Sequence, residues 1–236
     1  MEQPSFSDFS PSGNAAVHPD LYDIENKAAD PDHVVLAEMR DIAPWRNATI
    51  LDLGCGTGYW LDLYASEAAE VIGVEPDPGL LELARTRITS GRVLPGSAEH
   101  LPLPDASVEV VHARFAYFFP PGCDAGLAEV LRVLKPGGRL VVVDNDQRHG
   151  DFAALLAASV LAAPQGQADI TDQWWAERGA DRREVMSEWR FKSREDFEAV
   201  LRMEFPAEVA NRWLSQHQEL TALSYGYVLF SVRRPT

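Results

Sequence analysis

The stretch Ile50-Leu51-Asp52-Leu53-Gly54-Cys55-Gly56-Thr57-Gly58 constrains the fold of this chain more than any other. A short apolar strand runs into three glycines at alternate positions, and a helix-forming stretch follows at 59–69. Glycines there let the backbone turn sharply and let a ligand lie directly on it. A tight strand–helix turn that serves packing alone would carry the same residues.

The surrounding pattern is α/β. Strands are predicted at 70–74, 92–95, 108–113 and 139–144, and helices at 77–88 and 125–134, the latter closed by a turn at 135–138. Strand and helix alternating in this way signal a parallel sheet with helices on both faces. Towards the N-terminus, 5–14 is rich in Ser, Pro and Gly and reads as a mobile tail. Residues 21–43 read as helical, broken near Asp30-Pro31. After the fifth strand come an Ala/Leu-rich helix at 151–163 and a polar stretch at 164–183 that holds Trp174 and Trp175. A strand at 188–191, a helix at 193–203 with Ser193 as its N-cap, and a last strand at 225–232 complete the chain. No linker forces a second globular unit. The expected division is a tail and cap helices over 1–45 and one domain over 46–236, with a lid at about 151–187.

Charge narrows the partners. Lys+Arg is 21 against Asp+Glu 36, a net charge of -15, which disfavours nucleic acid or an anionic membrane as partner, since both call for a basic surface. Cys55 and Cys123 make no disulfide framework and have no paired-ligand spacing, so no metal site is expected. The polar first residues lack a signal-peptide pattern, and the longest nearly apolar stretch, 152–163, is too short to span a bilayer. The expected location is cytoplasmic.

A second acidic signal sharpens the first. Glu75 ends the second strand, seventeen residues past Gly58, where an acidic side chain of a nucleotide-binding βαβ unit accepts hydrogen bonds from a ribose diol. Together, loop and acid favour an adenosine-bearing ligand. Dinucleotide sites use G-x-G-x-x-G, whereas here the spacing is G-x-G-x-G and Tyr59 occupies the third-glycine position. A bulky Tyr there speaks against a pyrophosphate over the helix N-terminus.

At these residues the chain resembles the class I S-adenosylmethionine-dependent methyltransferases, and most nearly the branch of the ubiquinone and menaquinone biosynthesis methyltransferases. Four patches carry the likeness in order: 51–58, Glu75, 96–102 and 130–138. The resemblance implies a Rossmann-like, seven-stranded, mostly parallel sheet with an antiparallel last strand and helical cap elements. It implies S-adenosyl-L-methionine as cofactor and S-adenosyl-L-homocysteine as product. Asp52, Gly54, Cys55, Gly56 and Gly58 would then hold the methionine part, and Glu75 with Pro76 the ribose. Ser97, Ala98 and Glu99 would meet the adenine, Ala113 and Arg114 would border the cofactor, and Tyr22 would close over it, unless Tyr22 packs the N-terminal helix instead.

The chain also departs from the family. Ser97 stands where many relatives carry the Asp that binds the adenine amino group, and Phe118-Phe119 stand where relatives often carry two histidines. Methyl transfer from a sulfonium needs alignment and exclusion of water, and a base only for a protonated acceptor. His149 and Asp146, just after the fifth strand, are the candidate catalytic residues, while His112, in the fourth, reads as a core histidine. Phe115 and Tyr117, with Trp174 and Trp175 from the lid, are the candidate acceptor-binding residues. The expected function is methyl transfer to a small-molecule acceptor, aromatic or apolar in kind. The alternatives are a non-catalytic S-adenosylmethionine-binding partner protein and an NAD-dependent oxidoreductase. Nothing in the sequence sets the oligomeric state.

Overall fold

A computed structural model describes residues 6–159 and 166–236. Its sheet has seven strands: β1 (Thr49–Leu53), β2 (Glu70–Glu75), β3 (Arg92–Pro95), β4 (Val108–Arg114), β5 (Leu134–Asn145), β6 (Asp181–Arg190) and β7 (Ala222–Arg233). They lie in the order β3-β2-β1-β4-β5-β7-β6. β1 to β5 pair in parallel, and β7 runs antiparallel to both β5 and β6. The expected fold class is borne out, including the antiparallel last strand.

Strand alternation gives the sheet two apolar faces. Ile50, Val71, Val110, Val141 and Leu229 face one way. They are covered by α1 (Pro19–Ala28), α2 (Val34–Ile42), α3 (Leu61–Ala65), α4 (Pro78–Arg87), α6 (Gly150–Ala158), α8 (Arg194–Glu204) and α9 (Ala207–Gln216). Leu51, Leu53, Ile72, Val111, Val142 and Phe230 face the other way, under α5 (Asp124–Val133) and α7 (Gln167–Glu177). The caps are conventional: Asp77 accepts from Gly79 N and Leu80 N to start α4, and Ser193 accepts from Asp196 N to start α8, as expected.

Several elements differ from the sequence reading. α3 is a five-residue helix, because Tyr59 and Trp60 belong to the turn, where the Trp60 indole donates to Asn26 Oδ1 at 3.0 Å. The turn expected at 135–138 is an irregularity inside β5, where the β4 register shifts between Val108 and Val110. β6 begins at Asp181, in what read as polar stretch, because an outer strand carries charges along its exposed positions and hides its apolar signature. The helix expected at 151–163 is α6 up to Ala158, and the rest of that prediction lies outside the described residues. Of the expected lid at 151–187, most of the described residues belong to α6, α7 and β6. The N-terminal segment is tied down rather than loose over its described part: Glu99 N donates to Asp8 Oδ2 at 3.2 Å, and Asn14 Nδ2 to Glu204 Oε1 at 2.7 Å.

Candidate functional site

The glycine loop after β1 needs its glycines for separate reasons. Gly54, Gly56 and Gly58 have φ of +71°, +55° and +77°, the left-handed region that L side chains rarely adopt. A Cβ on Gly54 would lie 2.6 Å from the Ala116 Cβ, and one on Gly58 would lie 3.0 Å from Ala84 of α4. The loop is hung from the neighbouring strand, since Gly54 N and Cys55 N both donate to Val74 O.

Glu75 ends β2 beside this loop and is 3% exposed. Its Oε2 accepts from Gly56 N at 2.8 Å and its Oε1 from Asp77 N at 2.9 Å, so the carboxylate is fixed at both oxygens with lone pairs to spare. Burial pushes it up to about 7, against the pull of those two backbone donors. Asp52 is equally buried, and burial pushes it up to about 7 as well, with Arg114 pulling down. Neither carboxylate has an ion pair among the described residues. Two such acids beside a backbone loop make a place for hydroxyl donors or positive charge.

A narrow cleft of about 30 Å³ opens at this loop. Its floor is Asp52, Gly54, Cys55 and Thr57, its wall Tyr59, Trp60, Arg114 and Phe115, and its roof Tyr22 and Asn26 of α1. Arg114 stacks over the Trp60 ring with Cζ 3.6 Å from the centroid. Asp23 holds α1 in place through Arg87 at 2.6 Å and the Thr57 hydroxyl at 3.1 Å. Tyr22 thus sits over the loop, and burial pushes its phenol up. The sequence reading missed Asn26, Thr57, Trp60 and the Asp23–Arg87 clasp. Only Asn26 had a readable signal, being one helical turn from Tyr22.

Ser97 and Ala98 are buried at the end of β3, next to Glu75 across the pairing Glu75↔Pro95. Glu99 accepts from the Tyr117 hydroxyl at 2.8 Å. That contact turns Tyr117 towards the β3 segment and α5, where Gly126 N also donates to its hydroxyl at 3.1 Å. Of the expected acceptor residues, only Phe115 lines the cleft.

Trp174 and Trp175 are core residues. They are 7% and 1% exposed; Trp175 stacks on Phe230 at 5.3 Å, and Arg178 covers Trp174 with Cζ 3.7 Å from the ring. A helix on a sheet can bury two adjacent indoles when one points into the sheet and the other is capped by a guanidinium. His112 is a core histidine as expected, unexposed, edge-on to Trp45 and Tyr64, and lowered by burial to about 3.

Asp146 and His149 are brought together, with Oδ2 and Nδ1 2.7 Å apart, but away from the cleft. A Cβ on Gly226 would lie 3.0 Å from Asp146 Oδ2, on the sheet face of Val228 and Phe230, whereas Asp52 shares the face of Ile50. With Glu184 they form the one group among the described residues whose potential ligand atoms, all within 4.8 Å of one another, could share a metal ion. No helix among the described residues is long and apolar enough to cross a membrane.

Residues 51–142 match the family model described as a methyltransferase domain. Over this stretch the chain is similar to methyltransferase domains. It is similar to the malonyl-[acyl-carrier protein] O-methyltransferase of Serratia marcescens, with 36% identity over 89 residues, covering 38% of this chain and 35% of that protein. It is also similar to the demethylmenaquinone methyltransferase of Lactiplantibacillus plantarum, with 38% identity over 110 residues, covering 43% of this chain and 46% of that protein. The chain thus spans less than half the length of these relatives. Among solved structures, a candidate methyltransferase of Bacillus halodurans C-125 shares the fold, with a TM-score of 0.59 at 20% identity over 85% of this chain and 99% of that one. The matched stretch holds the glycine loop, Glu75, Ser97 and Arg114. Tyr22, His149, Trp174 and Trp175 lie outside it.

Proposed function

We propose that this methyltransferase domain binds S-adenosylmethionine along Gly54 to Gly58 and Glu75 and methylates a small, aromatic or apolar acceptor. The observation that carries this reading is the buried Glu75 carboxylate, fixed by Gly56 N and Asp77 N beside a left-handed glycine loop and unmatched by any cation among the described residues. The residues fit the cofactor. The glycines leave backbone bare for a ligand to lie on, Glu75 has lone pairs for the ribose hydroxyls, and Asp52 puts negative charge where a sulfonium would sit.

The bound cofactor supplies a methyl group already activated on sulfur. The chain's own residues bind, orient and exclude water. α1 roofs the cleft through Tyr22 and Asn26 and is clasped by Asp23 and Arg87, so solvent is kept from the reacting end. Arg114, stacked on Trp60, and Phe115 form the wall on the β4 side, and their apolar faces favour a flat or apolar acceptor. No histidine among the described residues lines the cleft, so the work of these residues is alignment. The two relatives' names give acceptors as different as a malonyl-[acyl-carrier protein] and a demethylmenaquinone, so the acceptor class rests on the wall residues alone.

Thermal-shift titration with S-adenosylmethionine, S-adenosylhomocysteine and NAD tests the cofactor half, and only the first two are expected to raise the midpoint. Release of S-adenosylhomocysteine against a panel of aromatic and apolar metabolites tests the acceptor half. Stabilisation by NAD alone would contradict the first. Turnover confined to charged, non-aromatic acceptors would contradict the second.

A further inference from the structure

Buried acceptors without donors are rare and call for an explanation. One lies at the edge of this site. The Asp8 side chain is 5% exposed, and its Oδ1 is buried with no hydrogen-bond partner among the described residues. Its other oxygen is held by Glu99 N at 3.2 Å, which fixes the carboxylate against the segment after β3. His100 Nδ1 stands 3.8 Å from Oδ1, too far for a hydrogen bond, and is already 3.4 Å from Ser97 Oγ. Phe6 packs beside His100, with ring centroids 6.4 Å apart, and so helps to seat the N-terminal segment there.

The position of this acceptor relative to Glu75 suggests its ligand. β3 is the strand outside β2, Glu75 pairs with Pro95, and Gly96 N reaches Glu75 O at 3.4 Å. A nucleoside whose ribose lies on Glu75 and whose chain runs towards Gly54 must carry its base outward, over the end of β3. The acceptors there are few. The Ser97 hydroxyl faces His100, and the Glu99 carboxylate faces the Tyr117 hydroxyl. Asp8 Oδ1 is the buried acceptor left over.

We propose that Asp8 supplies the acceptor for the exocyclic amino group of the cofactor's adenine, so that the N-terminal segment, and not the β3 segment alone, selects the base. This inference rests on the cofactor reading above. The chemistry of Asp8 then separates two bases, because an amino group donates to its free oxygen, whereas the carbonyl of hypoxanthine would set acceptor against acceptor. A site built to receive a hydrogen bond rejects the analogue that lacks it more strongly than an apolar pocket rejects a small change of shape.

The test is calorimetric titration of the full chain with S-adenosylhomocysteine and with S-inosylhomocysteine, which carries a carbonyl in place of the amino group. The wild-type chain should bind the adenosyl compound at least about tenfold more tightly, the scale of a hydrogen bond to a charged group. Asp8→Ala should weaken S-adenosylhomocysteine by about tenfold or more, leave S-inosylhomocysteine nearly unchanged, and so erase the discrimination. Asp8→Asn, whose amide oxygen still accepts, should restore most of it. Wild-type discrimination in a folded Asp8→Ala variant would overturn the proposal, as would tighter binding by that variant, which would make Asp8 a plug. Glu75→Ala separates the two readings. If it loses both compounds while Asp8→Ala keeps full discrimination, the ribose site stands and the base assignment falls. If the wild-type chain binds neither compound, both fall.

Discussion

The edge of the sheet formed by the carboxyl ends of its parallel strands is built in two ways. Over β1 and β2, Asp52 and Glu75 are buried, carry no ion pair among the described residues and are pushed up to about 7. Beyond β5, the acids are mostly matched: Arg148 bonds Asp169 and Asp172, Arg182 bonds Asp172 and Glu184, and Asp146 pairs with His149. Asp144, at the end of β5, shares the upward push of burial, to about 6. A fold gains nothing from burying unmatched carboxylates for their own sake. On the proposed cofactor reading, the half of the edge beside the glycine loop serves the ligand and the arginine-laced half serves the fold.

The contrast can be broken by substitution. Trp175→Ala should cost about 3–5 kcal/mol of stability, the range for removing a large buried aromatic, with cofactor affinity unchanged in whatever remains folded. Chemical denaturation with parallel calorimetry checks this, and a specific loss of affinity would return the indoles to the binding site. Gly54→Val should remove cofactor binding and cost about 2–4 kcal/mol, from left-handed strain and the Ala116 contact together. A folded variant with wild-type affinity would mean that no ligand lies on this loop.

Protons give a smaller, graded test. Asp52 and Glu75 are raised above their unfolded values near 4, so the folded chain holds protons there that the unfolded chain has already lost. Stability from these two groups is therefore highest at or below about pH 4 and falls as pH rises from about 4 towards 7. On the proposed cofactor reading binding runs the other way, because the cofactor would need the carboxylates charged. Affinity for S-adenosylmethionine should rise with pH up to about 7, by as much as about 1.4 kcal/mol per pH unit for each group, with protons released on binding. Calorimetry at about pH 6, below the raised values of both groups, in two buffers of different ionisation enthalpy measures that release, and proton uptake would contradict it. Least of all, His149→Ala should change stability by no more than about 1 kcal/mol and leave cofactor affinity alone, since its ring is outside the cleft. A large drop in affinity would tie the two halves of the edge together.

What could be read from residues alone follows the same division. Gly54, Gly56 and Gly58 declare themselves because left-handed backbone requires glycine, and Glu75 because an acid at the end of a buried strand stands out from its apolar neighbours. The parallel strands were readable because each is a short apolar run between turns. β6 was readable only at its end, within the strand expected at 188–191, because its first positions carry Asp181, Arg182, Arg183 and Glu184. Trp174 and Trp175 misled because their polar neighbours suggested a lid, while burial is decided by which way each ring points from α7. Asp8 was invisible because nothing in a Ser/Pro/Gly-rich tail says where it folds back. Tyr117 was expected over the acceptor, and its hydroxyl instead found Glu99, a partner set by the β3 segment far from it in sequence.

The central claim is that Glu75 and the glycine loop form a cofactor site, and calorimetric titration of S-adenosylhomocysteine into wild-type and Glu75→Ala chains tests it most directly. The substitution removes the ribose acceptor and should weaken binding by about 1.5–3 kcal/mol, the range for hydrogen bonds to a charged group, while the chain stays folded by circular dichroism. Unchanged affinity in a folded Glu75→Ala variant would contradict the account, because the buried, unmatched carboxylate on which it rests would then have no part in binding.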